Sequence, residues 1–292
     1  MTPNLQPIDC DLCGSADKKF IKEENGFPIS RCLNCSFVYV SSIPPVETGK
    51  VVGEYYHGTD EEIESARERY TKVSRFLLDQ LASLKPNKGK LLDVGCGYGY
   101  FLRTARDEGW DVYGTELSEL AVEYAHEKQG LPQVFFSDLS DDVFGDTRFD
   151  AINTTNVMEH VPSPTAIFEN CRRRLAEDGI LFIRVPNMDL YAFKESFNSL
   201  LKLAGLVKGG ERHYLASPPP SHLAGFTSRT LRKYFEKTGF ETVEIKPSKL
   251  SSLAEENIVY RVFTTFVNMV FKVSGGRLNL SPTVLAIARK KS

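Results

Sequence analysis

Residues 90–105 read KLLDVGCGYGYFLRTA, an apolar strand pattern that runs into three alternating glycines and then into a helical pattern. Glycines at such a turn remove the Cβ atoms that would keep the backbone away from a ligand, which predicts a site for a nucleotide-like cofactor. A dinucleotide fingerprint is spaced G-x-G-x-x-G/A, whereas Gly95, Gly97 and Gly99 give G-x-G-x-G followed by Tyr100. The spacing therefore argues against NAD as the cofactor.

Short apolar runs alternate with helical stretches after this turn. Such alternation predicts an α/β fold, in which a doubly wound, Rossmann-like parallel sheet is covered by helices on both faces and joined by right-handed crossovers. Seven strands are expected, at residues 91–94, 111–115, 133–136, 149–155, 180–185, 242–246 and 283–289.

Acidic residues accompany the first three of these strands. Asp93 stands two residues before the first glycine, Glu116 ends the second strand, and Asp138 follows the third. A carboxylate after the second strand can accept hydrogen bonds from both ribose hydroxyls, and one after the third strand can accept from an adenine amino group. Leu117 and Leu139 each follow one of these acids and could close on the two faces of the ring. Each residue alone could be a solvated loop acid or a core leucine, but three acids in register predict a nucleoside site.

Cysteines near the N-terminus form two C-x-x-C knuckles separated by 18 residues, namely Cys10, Cys13, Cys32 and Cys35. This spacing is typical of zinc sites, since four thiolates from two tight turns complete a tetrahedral shell. A closed shell folds a segment that is too short to build its own core, so we predict structural zinc, with a redox or disulfide role as the alternative. Cys96 and Cys171 lie apart and are expected to be small buried hydrophobic residues.

Composition and charge exclude several classes of protein. The chain has 292 residues with 41% hydrophobic content, enough for a full core, and a formal net charge of -2. That balance provides no positive field for nucleic acid. The first residues have no basic region followed by an apolar one, and no window has 18 uncharged apolar residues. A cytoplasmic protein is expected.

These motifs together resemble the class I S-adenosylmethionine-dependent methyltransferases, over most of the chain after residue 89. LLDVGCGYG resembles their first motif, YGTELS the second, and FDAINTTNVMEHVPSP with CRRRLAEDGILFIRVPN the region around strands 4 and 5 of their ubiquinone-biosynthesis-like and sugar-modifying branches. The resemblance implies an antiparallel last strand and S-adenosylmethionine as cofactor. It also implies that Glu116 holds the ribose and Asp138 the adenine, while backbone near Gly95 and Asn156 holds the methionine part.

The same resemblance, together with the turn-forming residues between the periodic stretches, divides the chain into parts. We expect a zinc-ribbon-like segment at 1–45, a linker and helix at 46–87, and the methyltransferase domain at 88–292. Inside that domain we expect an acceptor-side insertion at 187–225, with a lid from Asn187 to Ser221, and an amphipathic helix at 254–273. The helix has one apolar stripe, which predicts packing over the domain, with a dimer contact or a lipid surface as alternatives. The stripe comprises Ile258, Val259, Val262, Phe263, Phe266, Val267, Val270 and Phe271.

Methyl transfer from a sulfonium requires an aligned acceptor, exclusion of water and, for a hydroxyl, removal of a proton. His160, just past the fourth strand, and His222, in the insertion, are the candidate bases, although His160 could instead be a structural histidine at a turn. The chain lacks the Asn/Asp-Pro-Pro-aromatic turn of base-modifying enzymes after the fourth strand, which disfavours nucleic acid. The predicted acceptor is a hydroxyl or carbon of a sugar, nucleotide-sugar or glycan. The alternatives are a phenolic or quinone-type acceptor, or a scaffold that binds cofactor without turnover; a homodimer is possible.

Overall fold

The computed structural model of the protein describes residues 4–45, 60–140, 142–191, 193, 214–248, 258–276 and 278–291. Most of the predicted lid lies outside these residues. In chain order the strands are β1 (Gln6–Pro7), β2 (Lys18–Glu24), β3 (Phe27–Cys32), β4 (Val38–Val40), β5 (Ser42–Ile43), β6 (Lys90–Val94), β7 (Asp111–Glu116), β8 (Val134–Phe136), β9 (Phe149–Thr155), β10 (Leu175–Pro186), β11 (Ala224–Gly225), β12 (Phe240–Ser248) and β13 (Thr283–Lys290). The described helices are α1 (Asp60–Leu84), α2 (Tyr100–Asp107), α3 (Glu119–Glu127), α4 (Pro164–Arg174), α5 (Ser228–Lys237) and α6 (Ile258–Val273).

Seven strands form the central sheet, in the order β12-β13-β10-β9-β6-β7-β8. The five neighbouring strands β10, β9, β6, β7 and β8 run parallel to one another. Strand β13 lies between β10 and β12 and is antiparallel to both. Helices connect the parallel strands because a parallel pair needs a crossover rather than a hairpin. The predicted α/β class, the seven strands and the antiparallel last strand are all confirmed.

Alternate residues of the central strands bury on opposite faces of the sheet, as a period of two requires. Leu92 and Ile152 belong to a cluster with α4 and α5, whereas the preceding residues Leu91 and Ala151 belong to a cluster with α1, α2 and α3. The carboxyl ends of β6, β9 and β10 are consequently held between two helical layers. This edge is where parallel sheets bind ligands.

The N-terminal segment is built into the domain rather than tethered to it. Its strands β2, β3 and β4 form a second sheet, whose fourth strand is β11 from the acceptor-side insertion, with Tyr39 opposite Ala224. Three of its cysteines share one hydrophobic cluster with Phe168 and Tyr234 of the domain. The Asp11 carboxylate also accepts hydrogen bonds at the beginning of α4, from Ser163 Oγ at 2.7 Å and from the backbone N–H of Thr165 at 2.9 Å.

Helix α6 differs from the sequence expectation. We expected its apolar stripe to pack over the domain, but Val267 is buried while Ile258, Val262 and Phe266 are exposed. The apolar residues are spread over both sides of the helix, so one line packs inward and another faces out. No helix among the described residues has the length and apolar content to cross a membrane.

Candidate active site

A cavity of about 520 Å³ opens at the carboxyl ends of β6, β9 and β10. Its volume falls in the range that holds small molecules and cofactors. Two groups of residues line it, which we name the cofactor end and the acceptor end after the roles that the sequence predicts for them. The cofactor end comprises Asp93, Gly95, Cys96, Gly97, Tyr98 and Asn156, with Glu116 behind them; the acceptor end comprises Glu159, His160, Arg184, Ser217 and His222.

The glycine loop uses its three glycines in two different ways. All three have positive φ angles, of 66°, 53° and 77° for Gly95, Gly97 and Gly99. Gly95 and Gly97 line the cavity, whereas a Cβ on Gly99 would come within 2.6 Å of Leu131, so Gly99 allows α2 to pack closely. Of the three predicted cofactor glycines, the structure therefore brings two to the cavity.

Glu116 holds the loop from behind. Its Oε2 accepts a hydrogen bond from the Gly97 N–H at 2.9 Å, and its Oε1 accepts from the N–H groups of Leu117 at 2.7 Å and Ser118 at 3.0 Å. These bonds explain how a carboxylate can be buried at this point. They also place Glu116 behind the residues that line the cavity, between the glycine loop and the beginning of α3.

Asp93 is the buried carboxyl of the cofactor end. Its Oδ1 accepts from Asn153 Nδ2 at 2.7 Å. Burial raises the pKa of Asp93 to about 7, and the nearby Glu116 raises it further while the Asn153 bond opposes the shift. A cationic ligand in the cavity would reverse this shift, because an opposite charge favours the ionised carboxylate.

The three residues predicted to contact the adenine, Asp138, Leu117 and Leu139, are not among the residues that line the cavity. The Asp138 carboxylate accepts from the backbone N–H of Ser140 at 2.7 Å and from its hydroxyl. Leu139 is buried in the core cluster with Phe144. Leu117 is half-buried beside Glu116. A nucleoside end of the cofactor would therefore extend beyond the enclosed cavity, along the ends of β7 and β8.

Glu159 is the buried carboxyl of the acceptor end. Its side chain is 1% exposed, and Oε2 has no hydrogen-bond partner among the described residues. Burial raises the pKa of Glu159 to about 8, although Arg184 acts in the opposite direction. The carboxyl is therefore mostly protonated near neutral pH. An unpartnered buried oxygen costs free energy, and a polar ligand group in the cavity would recover it.

The two candidate histidines meet at this end, with ring centroids 4.8 Å apart and planes at 85°. His160 Nδ1 lies 2.6 Å from the Ser221 carbonyl, so it must donate, which leaves the lone pair on Nε2. His222 Nδ1 accepts from the Ser217 N–H at 3.3 Å, so its proton is on Nε2. Burial lowers the pKa of His160 and lowers that of His222 to about 4, so both rings are neutral at pH 7.

Glu159, His160 and His222 also place one possible ligand atom each within 4.8 Å of one another. Two imidazoles and a carboxylate are a set that proteins use for divalent cations. The Glu159 Oε1 to His160 Nε2 distance of 4.0 Å is too long for a direct hydrogen bond, which leaves room for a group between them.

Sequence reasoning missed several cavity residues, among them Tyr70, Ser74 and Arg184. Tyr70 and Ser74 of α1 cover the cavity, although α1 was expected to belong to a linker region, and Tyr70 stacks on Tyr100 with centroids 5.7 Å apart. Arg184, buried within β10, donates from Nε to Ser248 Oγ at 3.1 Å. A charged residue inside the apolar run ILFIRVP was the available signal for Arg184.

The four N-terminal cysteines converge as predicted, with all four sulfurs within 4.8 Å of one another. Sγ of Cys10 lies 3.4 Å from that of Cys35, and Sγ of Cys13 lies 3.5 Å from that of Cys32. A tetrahedral zinc with bonds of about 2.3 Å separates its sulfurs by about 3.8 Å, so the set fits this ion. A disulfide needs about 2.05 Å and does not fit. Burial raises the pKa of Cys35 to about 11, so the buried thiols need a cation to ionise together.

Residues 65–245 match a family model described as a methyltransferase domain. The chain belongs to this methyltransferase family. A curated relative, the ubiquinone biosynthesis O-methyltransferase of Xanthomonas axonopodis pv. citri, is 32% identical over 152 residues, which cover 50% of this chain and 63% of the relative. The match thus spans less than two thirds of that relative's own length. The predicted enzyme class is confirmed at the level of the family.

Solved structures confirm the fold of this methyltransferase. A S-adenosylmethionine-dependent methyltransferase from Clostridium acetobutylicum matches with a TM-score of 0.52 and 12% identity, over 80% of this chain and 99% of that one. The magnesium protoporphyrin IX methyltransferase of Synechocystis, solved with bound SAH, matches with a TM-score of 0.50 and 16% identity, over 82% of this chain and 91% of that one. At these identities the likeness concerns the fold.

Proposed function

We propose that this protein transfers the methyl group of S-adenosylmethionine to a hydroxyl of a small acceptor. The observation that carries the proposal is the buried Glu159 Oε2, unpartnered among the described residues, next to the His160 and His222 pair, in the same cavity as the glycine loop. A polar group is therefore expected between these side chains. Membership of the methyltransferase family supplies the reaction class.

The cofactor end suits a cationic nucleoside ligand. S-adenosylmethionine supplies a methyl group activated by a positive sulfonium, and the carboxyls of Asp93 and Glu116 provide the opposite charge. Backbone at Gly95, Gly97 and Asn156 would hold the methionine part, with Glu116 at the ribose and Asp138 at the adenine. Asn156 has a φ of 55°, an unusual angle for a residue with a side chain, which fits a residue fixed for function.

The acceptor end provides a base and a donor. His160 is the better base, because its Nδ1–H is held by the Ser221 carbonyl and its Nε2 carries the lone pair. His222 has its proton on Nε2 and would donate to the acceptor oxygen, so of the two candidate bases we assign the base to His160. The protonated Glu159 would donate a second hydrogen bond.

The basicity of His160 favours a phenolic acceptor over a sugar. Burial lowers the pKa of His160 below its ordinary value, so it is a weak base. A phenol, with a pKa of about 10, is within reach of such a base, whereas an alkyl hydroxyl of a sugar is several units less acidic. The name of the Xanthomonas relative, an O-methyltransferase of ubiquinone biosynthesis, agrees with the phenolic alternative.

The four cysteines form a second part of the proposal. We propose that Cys10, Cys13, Cys32 and Cys35 hold one structural zinc, since their sulfur separations fit a tetrahedral ion. The ion would have no open position for a substrate. The ion would instead hold together the N-terminal segment, whose strand β4 pairs with β11.

The test is a methyl-label transfer assay with purified protein, S-adenosylmethionine, and two matched panels of catechols and nucleotide-sugars. Transfer to catechols that is lost in His160→Ala supports the proposal. Transfer only to sugars would contradict the phenolic acceptor. Cofactor binding by calorimetry without transfer to any acceptor would favour the scaffold alternative.

A further inference from the structure

Helix α6 carries an apolar line that faces away from the protein. Residues 258, 262, 266, 269 and 273 follow one another at spacings of four or three, which places them on one side of a helix. The side chains of Ile258, Val262, Phe266, Met269 and Val273 are between 48% and 85% exposed. Five large apolar residues in one exposed line are far more than the scattered ones found on ordinary surfaces.

The other side of α6 faces the domain. Val267 is 2% exposed, and with Thr264 and Asn268 it faces β12 across a cavity of about 450 Å³. Pro247 of β12 and Phe76 of α1 form the opposite wall. The helix is therefore held on the domain by one side, and the exposed line takes no part in that packing.

The charges of α6 and of the turn that follows it have one sign. Residues 257–280 contain no Asp or Glu but three basic residues, Arg261, Lys272 and Arg277, in a chain whose formal net charge is -2. Arg261 and Lys272 are both exposed, and neither has an ion pair among the residues described. Lys246, which borders the cavity next to Arg261, is paired with Glu244 at 2.6 Å, so the unpaired positive charge is on α6 itself.

We propose that α6 lies in the surface of an anionic lipid bilayer, with its exposed apolar line among the acyl chains. An interfacial helix needs an apolar face and flanking cations that meet lipid phosphates, and α6 has both. Its 16 residues span about 24 Å, short of the roughly 30 Å hydrocarbon core, so it lies along the surface rather than across it.

A second copy of the chain is the rival occupant, and the charges argue against it. In a two-fold dimer the same patch meets itself, so the cations Arg261 and Lys272 of one copy would meet those of the other without an acidic partner from α6. Anionic lipid, in contrast, supplies the charge that the helix lacks. The inference does not depend on which acceptor the active site uses.

The test is vesicle flotation with the full-length protein, comparing phosphatidylcholine vesicles with vesicles containing one quarter phosphatidylglycerol. We expect binding to the anionic vesicles that weakens with salt, because the electrostatic part is screened. The double variant Val262→Ser, Phe266→Ser should lower the partition coefficient at least tenfold. The matched control Thr265→Ser, Asn268→Ser alters the same helix away from the apolar line and should bind like the wild type.

Three outcomes would overturn the inference. One is no binding to anionic vesicles, and another is equal loss in the test and control variants. The third is a dimer, measured by light scattering, that the Val262→Ser, Phe266→Ser variant dissociates while vesicles recruit nothing. Because all four altered residues are solvent-exposed or half-exposed, the variants should fold, which thermal unfolding checks.

Discussion

The cofactor end and the acceptor end of the cavity differ in how far apart their residues lie in the chain. At the cofactor end, Gly97 bonds Glu116 only 19 residues away. At the acceptor end, His160 is held by the carbonyl of Ser221, which is 61 residues away. The turn that contains Pro219 is held in its place by Asn25, whose Nδ2 donates to the Pro219 carbonyl across 194 residues. The glycine loop of the first end is a local motif on one crossover, although Asp93 there also bonds Asn153 of β9, whereas the second end needs β11 and the N-terminal segment to have assembled. Damage to the N-terminal segment should therefore reach one end and spare the other.

The strongest test of this difference removes a zinc ligand. In Cys35→Ser we expect loss of zinc, loss of hydrogen-exchange protection at β11 and loss of turnover, while cofactor affinity is retained. Structural zinc contributes about 10–16 kcal/mol in small peptides, and the four-cysteine segment has little core of its own. Zinc content, exchange mass spectrometry and calorimetry measure the three quantities. Cys171→Ser alters a buried thiol outside the cluster and should keep its zinc. Full turnover in the zinc-free protein would show that the acceptor end does not depend on the N-terminal segment.

The second prediction separates chemistry from binding. His160→Ala should lower turnover by about 10²- to 10⁴-fold with unchanged cofactor affinity, because only the proton acceptor is lost. The loss should shrink as pH rises, since the acceptor then ionises by itself. Because burial lowers the pKa of His160, wild-type turnover should persist below pH 6.5. His126→Ala, an exposed histidine on α3, is the control. Near-normal turnover of the His160 variant would contradict a base at His160 and point to catalysis by simple proximity.

The third prediction concerns stability against pH. The Glu159 pKa of about 8 in the folded state exceeds its ordinary value of 4.5, so its contribution to stability is present below pH 4.5 and is lost as pH rises through 8. Glu159→Gln keeps the shape without the charge, so the wild type should lose a few kcal/mol relative to this variant between pH 5 and pH 9. Urea unfolding at a series of pH values measures the difference. Parallel profiles would show that Glu159 is ionised in the folded protein.

The smallest effect is expected at the cofactor end. Glu116→Ala removes the acceptor of three backbone N–H groups around the loop, and hydrogen bonds to a charged group contribute about 1.5–3 kcal/mol each. Cofactor affinity should fall at least tenfold, measured by calorimetry, while zinc content is unchanged. Glu119→Ala, an exposed acid on the next helix, should bind normally. An unchanged affinity in Glu116→Ala would contradict its role at the ribose.

The separation of contacting residues along the chain also explains what could be predicted from the sequence. The seven strands, the glycine loop and the four-cysteine cluster depend on spacings within short windows, and all three agree with the structure. The pairing of β4 with β11 leaves no periodic signal, because two residues in each strand carry it. The position of Tyr70 at the cavity was not predicted, because in the sequence its aromatic side chain looks like one more apolar residue on the buried side of α1. The tautomers of His160 and His222 follow from carbonyl and N–H partners that only the folded loop supplies.

The β4–β11 pairing also bears on where this protein can be cut. The family match begins at residue 65, which suggests a catalytic fragment that starts there. Such a fragment would lack β4 and leave Ala224–Gly225 as a bare edge, with Phe226 and Tyr234 stripped of the Phe37 ring that packs on both. Exposed edges and aromatic patches promote aggregation. The matched region is therefore smaller than the packed unit, so expression trials should retain the first 45 residues.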